Sequence, residues 1–80
     1  MKLSDITPGA QATVVQVTTQ TEPDPIASRL RDLGFVAGEP VSLVALGPFG
    51  ADPILVQIGF TRFALRRSEA ARIEVQLAEA

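Results

Sequence analysis

The segment Ala27–Val44, ASRLRDLGFVAGEPVSLV, has the pattern of a helix end followed by a sharp stop, a tight turn and a strand. Just before it, Asp24 is a favourable N-cap residue and Pro25 suits the first helical position. A helix is therefore predicted over about Pro25–Leu33. Its apolar residues recur at helical spacing and form one narrow stripe, composed of Ile26, Ala27, Leu30 and Leu33.

The residues after this helix predict how it ends. Gly34 can adopt the left-handed conformation that closes many helices, and Phe35 would then fold back onto Leu30. The turn Ala37–Glu39 follows, and Pro40 begins the next strand. A single short helix between β-rich segments is thus the organising element of the chain.

Five short strands are predicted from apolar and β-branched residues separated by turn formers. They are Gln11–Val17, Pro40–Leu46, Ile54–Ile58, Phe60–Leu65 and Arg72–Leu77. Ser68 is expected to cap one helical turn, Ser68–Ala71, before the last strand. The predicted fold is mainly β: a small, closed five-stranded barrel with one short α-helix after the first strand. Closure would leave no strand edge exposed.

The composition is that of one small folded domain, which we expect to span residues 1–80. Hydrophobic residues make up 46% of the chain and charged residues 20%, as is ordinary for soluble proteins. No apolar run approaches the roughly 20 residues that cross a bilayer. The N-terminus also lacks the apolar region of a secretory signal. We therefore expect a cytoplasmic location.

The chain contains neither Cys nor His, and this absence narrows its chemistry. Thiolate nucleophiles, imidazole bases and the usual zinc or iron ligands are excluded, and the serines have no base to activate them. We predict no catalytic, cofactor or metal site, and we interpret Asp24 as a helix cap rather than as an acid or base. A metal ion would have to bind carboxylate or backbone oxygens, which suit Mg²⁺ or Ca²⁺.

Near the C-terminus, one acid, Glu69, stands among four arginines: Arg62, Arg66, Arg67 and Arg72. With a net charge of −2 and a pI near 4.9, the chain lacks the overall basic character of a nucleic-acid binder. We interpret the cluster as a solvated face with local ion pairs. A docking patch for an acidic partner is the alternative.

The outward-facing residues of the helix are the best candidate surface for a partner. Arg29 and Arg31 are also explained as charges that solvate the helix C-terminus and favour its dipole. In the loop Gly47–Pro53, Phe49 is expected to fold back onto the core, with an exposed apolar tip as the alternative. The candidate partner-binding residues are Arg29, Arg31, Asp32, Phe49, Arg66 and Arg67.

Three motifs occur in order along the chain. They are L-x-x-I-x-P-G-x-x-A over Leu3–Ala12, R-L-x-x-L-G-F-x-x-G over Arg29–Gly38, and L-R-R-x-E-A-x-x-I-x-V over Leu65–Val75. Together they resemble the FeoA family, and the resemblance covers nearly the whole chain. It implies an SH3-like barrel, similar to the C-terminal domain of iron-dependent repressors. Structural roles are expected for the motif residues Pro8, Gly9, Leu30, Leu33, Gly34 and Gly38.

The resemblance implies a small accessory or regulatory protein of bacterial ferrous iron uptake. The implied partner is the membrane permease FeoB, contacted at its cytoplasmic G-protein domain or its membrane core, at the inner face of the membrane. Protein–protein contact, not iron carriage, is the implied mechanism, and Arg29 is the motif residue expected to act at the surface. The relationship to repressors also implies metal binding, which the missing His and Cys weaken.

Two other interpretations stay open at this point. One is a metal-binding or metal-sensing SH3-like domain related to the repressor C-terminal domains. The other is a small nucleic-acid-binding barrel that uses the Arg62–Arg72 face, although no nucleic acid is expected as a partner. A monomer or a weak homo-oligomer is expected, the latter through a strand edge left over by incomplete barrel closure.

Overall fold

A computed structural model describes residues 1–78, which form five strands and two short α-helices. The strands are β1 (Gln11–Val17), β2 (Pro40–Leu46), β3 (Ile54–Ile58), β4 (Thr61–Leu65) and β5 (Ile73–Leu77). The helices are α1 (Pro25–Asp32), after β1, and α2 (Arg67–Ala70), after β4; a 3₁₀ turn, Leu3–Asp5, precedes β1. The predicted mainly β architecture and the order of its elements are confirmed. The strands β4 and β5 each begin one residue later than predicted.

All five strands belong to one antiparallel sheet in the order β4-β3-β2-β1-β5. The register shifts between Val14 and Gln16 in β1 and between Leu43 and Ala45 in β2, and such bulges bend and twist a sheet. The prediction of full closure is wrong: within residues 1–78, β4 and β5 lie at opposite ends of the sheet and do not pair. The chain passes between them through α2, which packs against the N-terminal 3₁₀ turn.

The buried side chains form one cluster that draws on all five strands and both helices. Leu3 and Ile6 close it at the N-terminus, and Leu30 reaches it from α1. Phe35 is fully buried, and its ring centroid lies 6.0 Å from that of Phe63 in a tilted arrangement. Tilted aromatic pairs at this separation add to the stabilisation that comes from burial alone.

The end of α1 has the predicted Schellman geometry. The backbone N–H of Phe35 donates to the carbonyl of Leu30 at 3.1 Å, and that of Gly34 donates to the carbonyl of Arg31 at 3.0 Å. Gly34 takes a φ of +113°, which a residue with a Cβ atom rarely adopts. The turn therefore delivers Phe35 into the core directly after the helix.

The apolar stripe of α1 is narrower than predicted. Ala27 and Leu30 are fully buried, but Leu33 is only partly buried and Ile26 is 39% exposed. Only the line of the α1 surface that carries Ala27 and Leu30 reaches the core. Ile26 is left on the outer side of the helix.

The predicted cap of α2 by Ser68 is also wrong. The helix begins at Arg67, so Ser68 lies inside it and Arg66 occupies the N-cap position. The backbone N–H of Arg66 donates to Oε1 of Glu69 at 3.0 Å. Glu69 thus satisfies the first free donor of α2, as the acid of a capping box does.

Candidate partner-binding groove

A groove of about 800 Å³ lies between α1, the loop that follows β2, the end of β4 and α2. We call it the α1 groove. It brings together three of the predicted partner-binding residues, Arg29, Phe49 and Arg66, from distant parts of the chain. Other residues that line it include Ile26, Ala64 and Glu69.

Phe49 stands at one side of the α1 groove and is 82% exposed. The expectation that it folds back onto the core is therefore wrong. The two ends of its loop approach so closely that a Cβ on Gly47 would lie 2.2 Å from the carbonyl oxygen of Pro53. The loop is therefore pinched at its base, and Phe49 lies at its solvent-exposed tip.

Opposite Phe49, α1 contributes a mixed surface of Ile26 and Arg29. Arg29 donates from Nη2 to Oε2 of Glu69 at 2.9 Å, with side chains that are 58% and 14% exposed. An ion pair with one partner this exposed is worth at most about 1 kcal/mol. The pair therefore orients the Arg29 side chain over the groove without being needed for the fold.

Arg66 adds a second positive charge to the groove. Its backbone is used in the cap of α2, but its side chain is exposed and forms no ion pair within residues 1–78. The groove thus combines two exposed apolar side chains with two guanidinium groups. Aromatic and arginine side chains are the residues that most often dominate the energy of protein interfaces.

The remaining predicted residues do not line this groove. Arg31 donates to the carbonyl of Val17 at 2.9 Å and to Oγ1 of Thr19 at 2.8 Å, which ties α1 to the end of β1. Arg67 donates from Nη2 to the carbonyl of Ser4 at 3.0 Å. Both arginines serve as internal connections. Asp32 is exposed but lies outside the groove.

The structure does not assemble the four C-terminal arginines into one solvated face. Arg72 is largely buried, with a side chain 14% exposed, and Arg67 is bonded to the N-terminal segment. Only Arg62 and Arg66 are exposed. A nucleic-acid surface made of the whole Arg62–Arg72 segment is therefore not present.

Sequence reasoning missed the partner of Arg72. Its guanidinium pairs with Asp24, whose carboxylate also accepts from the backbone N–H groups of Gln20 at 2.9 Å and Ala27 at 3.1 Å. These two backbone bonds, aided by Arg72, lower the pKa of Asp24 from 3.8 to about 2, although burial opposes them. Asp24 is thus the helix cap that was predicted. It also connects α1 to the start of β5.

The chain offers no donor set that fits a soft or borderline metal ion. It has no His or Cys, and no three carboxylates come together among residues 1–78. Structural and catalytic zinc sites use mainly thiolate and imidazole ligands.

The family model of the FeoA domain matches residues 1–77. The chain belongs to the FeoA family. Its three motifs and its architecture agree with this assignment. None of the helices in residues 1–78 has the length and apolar character needed to cross a membrane.

Three similar proteins place the domain in context. A fusion of Fe(2+) transport protein A and the Fe(2+) transporter FeoB, from Porphyromonas gingivalis, is 35% identical over 96% of this chain. The chain spans only 9% of that relative's length. The FeoA of Stenotrophomonas maltophilia, solved in complex with zinc and described as a prokaryotic SH3 domain protein, is 54% identical. Its structure superposes with a TM-score of 0.88, covering 95% of this chain and 89% of the other.

The third similar protein is a manganese-dependent transcriptional repressor, matched over 99% of this chain and 41% of its own. Its TM-score is 0.81, but the sequence identity is 18%. This likeness shows a shared fold and nothing about function. The resemblance to repressor domains is therefore confirmed as architecture alone.

Proposed function

We propose that this chain is a cytoplasmic accessory domain of bacterial ferrous iron uptake that acts by contacting a FeoB-type permease. The observation that carries the proposal is the Porphyromonas gingivalis relative, in which a similar domain and the transporter share one polypeptide. Fusion keeps two interacting proteins at a high local concentration. Where the two are separate polypeptides, a binding surface has to supply that association.

The α1 groove supports this function by its composition. Phe49 and Ile26 provide apolar area for a partner, while Arg29 and Arg66 provide charge that selects the orientation of docking. No group that lines the groove within residues 1–78 is arranged as a nucleophile with a base. The proposed role is therefore binding, with regulation of the permease as its consequence.

The proposal is tested by calorimetric titration of the full chain with the cytoplasmic G-protein domain of its cognate permease, with and without a GTP analogue. Saturable binding is expected. Arg29→Glu should weaken it about tenfold or more, because the reversed charge opposes the partner and also repels Glu69. The thermal midpoint should stay within a few degrees of the wild type, since the Arg29 side chain is 58% exposed.

Ser28→Glu is the matched control, because Ser28 is an exposed neighbour on α1 that does not line the groove. It should bind like the wild type. Equal binding by Arg29→Glu would exclude the groove as the contact. Absence of binding to the G-protein domain, repeated with the whole permease in detergent, would contradict the proposed function itself.

A separate anaerobic titration with Fe²⁺ distinguishes the metal-sensing alternative. The donor set predicts no tight binding, since neither His nor Cys is available. Tight, stoichiometric Fe²⁺ binding would instead favour a sensor that uses carboxylates.

A further inference from the structure

The two edges of the sheet are treated differently by the rest of the chain. The outer edge of β5 is covered by the N-terminal residues: the N–H of Val75 donates to the carbonyl of Met1 at 2.7 Å, and a β-bridge joins Lys2 to Glu74. At the other end of the sheet, no strand or loop of residues 1–78 pairs with the outer side of β4. An uncovered edge is a template for another strand.

The register of the β3–β4 hairpin identifies which backbone groups are free. The strands are joined by the two-residue turn Gly59–Phe60, and their pairing runs without a shift from Ile58↔Thr61 to Ile54↔Leu65. Alternate pairs in such a ladder exchange hydrogen bonds, beginning with the pair that flanks the turn. Arg62 and Ala64 belong to the pairs that do not exchange hydrogen bonds with β3. Their N–H and C=O groups therefore point outward, and no hydrogen bond within residues 1–78 uses them.

The side chains beside these free groups carry positive charge. Arg62 and Ala64 are exposed on β4, and exposed Arg66 follows directly after the strand. Arg62 donates from Nε to Oε1 of Gln57 at 3.0 Å, but neither arginine pairs with a carboxylate among residues 1–78. The strand itself, TRFAL, contains no acid. Opposite charges facing each other across strands are favourable, and like charges are not.

We propose that the free edge of β4 is a strand-addition site for an extended acidic peptide segment of a partner protein. The segment adds antiparallel to β4, with a small or apolar residue opposite Ala64. Acidic residues two positions to either side of it face Arg62 and Arg66. The backbone supplies the hydrogen bonds of the ladder, and the two arginines supply selectivity and orientation.

The position of this edge connects it to the α1 groove, because Ala64 and Arg66 line both. A segment paired with β4 therefore leads directly toward Phe49. The inference rests on the proposed function only for the identity of the protein that carries the segment. The mode of recognition follows from the edge alone.

A second copy of this chain is a poorer occupant. Pairing β4 with β4 of another molecule would bring four guanidinium groups, from Arg62 and Arg66 of each copy, to one seam. No carboxylate of either strand would lie between them. Charge complementarity therefore favours an acidic segment over self-association.

The test is an NMR titration of the isotope-labelled full chain with a synthetic peptide of about nine residues, made of Val and Thr with Glu at its third and seventh positions. Chemical shifts of the Arg62 and Ala64 amides are expected to move most, and their hydrogen exchange should slow on binding. Methylating the backbone nitrogen of the central peptide residue, opposite Ala64, should abolish both effects. The Arg62→Glu/Arg66→Glu variant should weaken binding about tenfold or more, and a peptide with Lys for Glu should restore it.

The outcomes separate this inference from the proposed function. The inference is wrong if the methylated peptide binds equally well, or if neither peptide shifts the β4 amide signals at millimolar concentration. In that case the two arginines only prevent other strands from pairing with the edge. Concentration-dependent sedimentation that Arg62→Glu abolishes would assign the edge to self-association instead. Binding of the permease domain with unprotected Arg62 and Ala64 amides would refute strand addition by the permease while leaving the proposed function intact. A peptide response without permease binding would support strand addition and contradict the proposed function.

Discussion

The inner and outer faces of α1 each carry a carboxylate–arginine pair, yet the two pairs differ in what they contribute. On the inner side, Asp24 and Arg72 are largely buried, and Asp24 also accepts two backbone N–H groups. On the outer side, Arg29 meets Glu69 beside a groove open to solvent. Burial and additional hydrogen bonds make the first pair part of the fold. In the second pair, the 58% exposure of Arg29 leaves its side chain accessible to a partner.

The largest effect on stability is expected where α1 meets the core. Leu30→Ala should lower the free energy of unfolding by about 2–5 kcal/mol, because Leu30 is fully buried and the remaining cavity cannot collapse completely. Denaturant unfolding measures this as a lower midpoint at constant slope. Ile26→Ala is the control on the outer face of the same helix. It should cost much less, since Ile26 already contacts solvent.

The next effect concerns the buried pair and depends on pH. Asp24→Asn should lower the thermal midpoint at pH 7 by more than Arg29→Ala does, since Arg72 is left without its carboxylate. The pKa of Asp24 is lowered from 3.8 to about 2 in the folded protein. The unfolded chain therefore binds more protons between these values, and stability falls as the pH decreases through that window.

In the Asp24→Asn variant, this part of the acid dependence should disappear. Thermal melts at a series of pH values from about 5 to about 2 make the comparison. Equal acid sensitivity in the variant and the wild type would mean that other carboxylates, not Asp24, govern acid unfolding.

The smallest effect on stability is expected at Arg29, the exposed member of the outer pair. Arg29→Ala should change the free energy of unfolding by less than about 1 kcal/mol, and high salt should reduce the difference further. Denaturant unfolding of the variant and the wild type at low and high ionic strength measures this difference and its dependence on salt. A loss as large as that of Leu30→Ala would mean that the outer face of α1 also holds the fold together.

Local sequence signals predicted the helix α1 and the first three strands well, because turn-forming residues separate them. Gly34 ends α1 and delivers Phe35 to the core because backbone geometry at that point depends on neighbouring residues alone. The bounds of β1, β2 and β3 were predicted for the same reason. Each is preceded by Gly or Pro turns within a few residues.

What the sequence could not predict depends on contacts between distant residues. Asp24 and Arg72 are 48 positions apart, and only the fold brings them together. The open sheet edge likewise follows from the path of the chain through α2.

The α1 groove is the proposed contact with the permease. Two exposed phenylalanines, one inside the groove and one outside it, allow a direct test of this assignment. Phe49 and Phe60 are both strongly exposed at turns, but only Phe49 lines the groove. The dissociation constant for the permease's G-protein domain should be measured for Phe49→Ala and Phe60→Ala. We predict about tenfold or greater weakening for Phe49→Ala and little change for Phe60→Ala. Equal affinities for the two variants, or a loss confined to Phe60→Ala, would contradict the assignment of the groove.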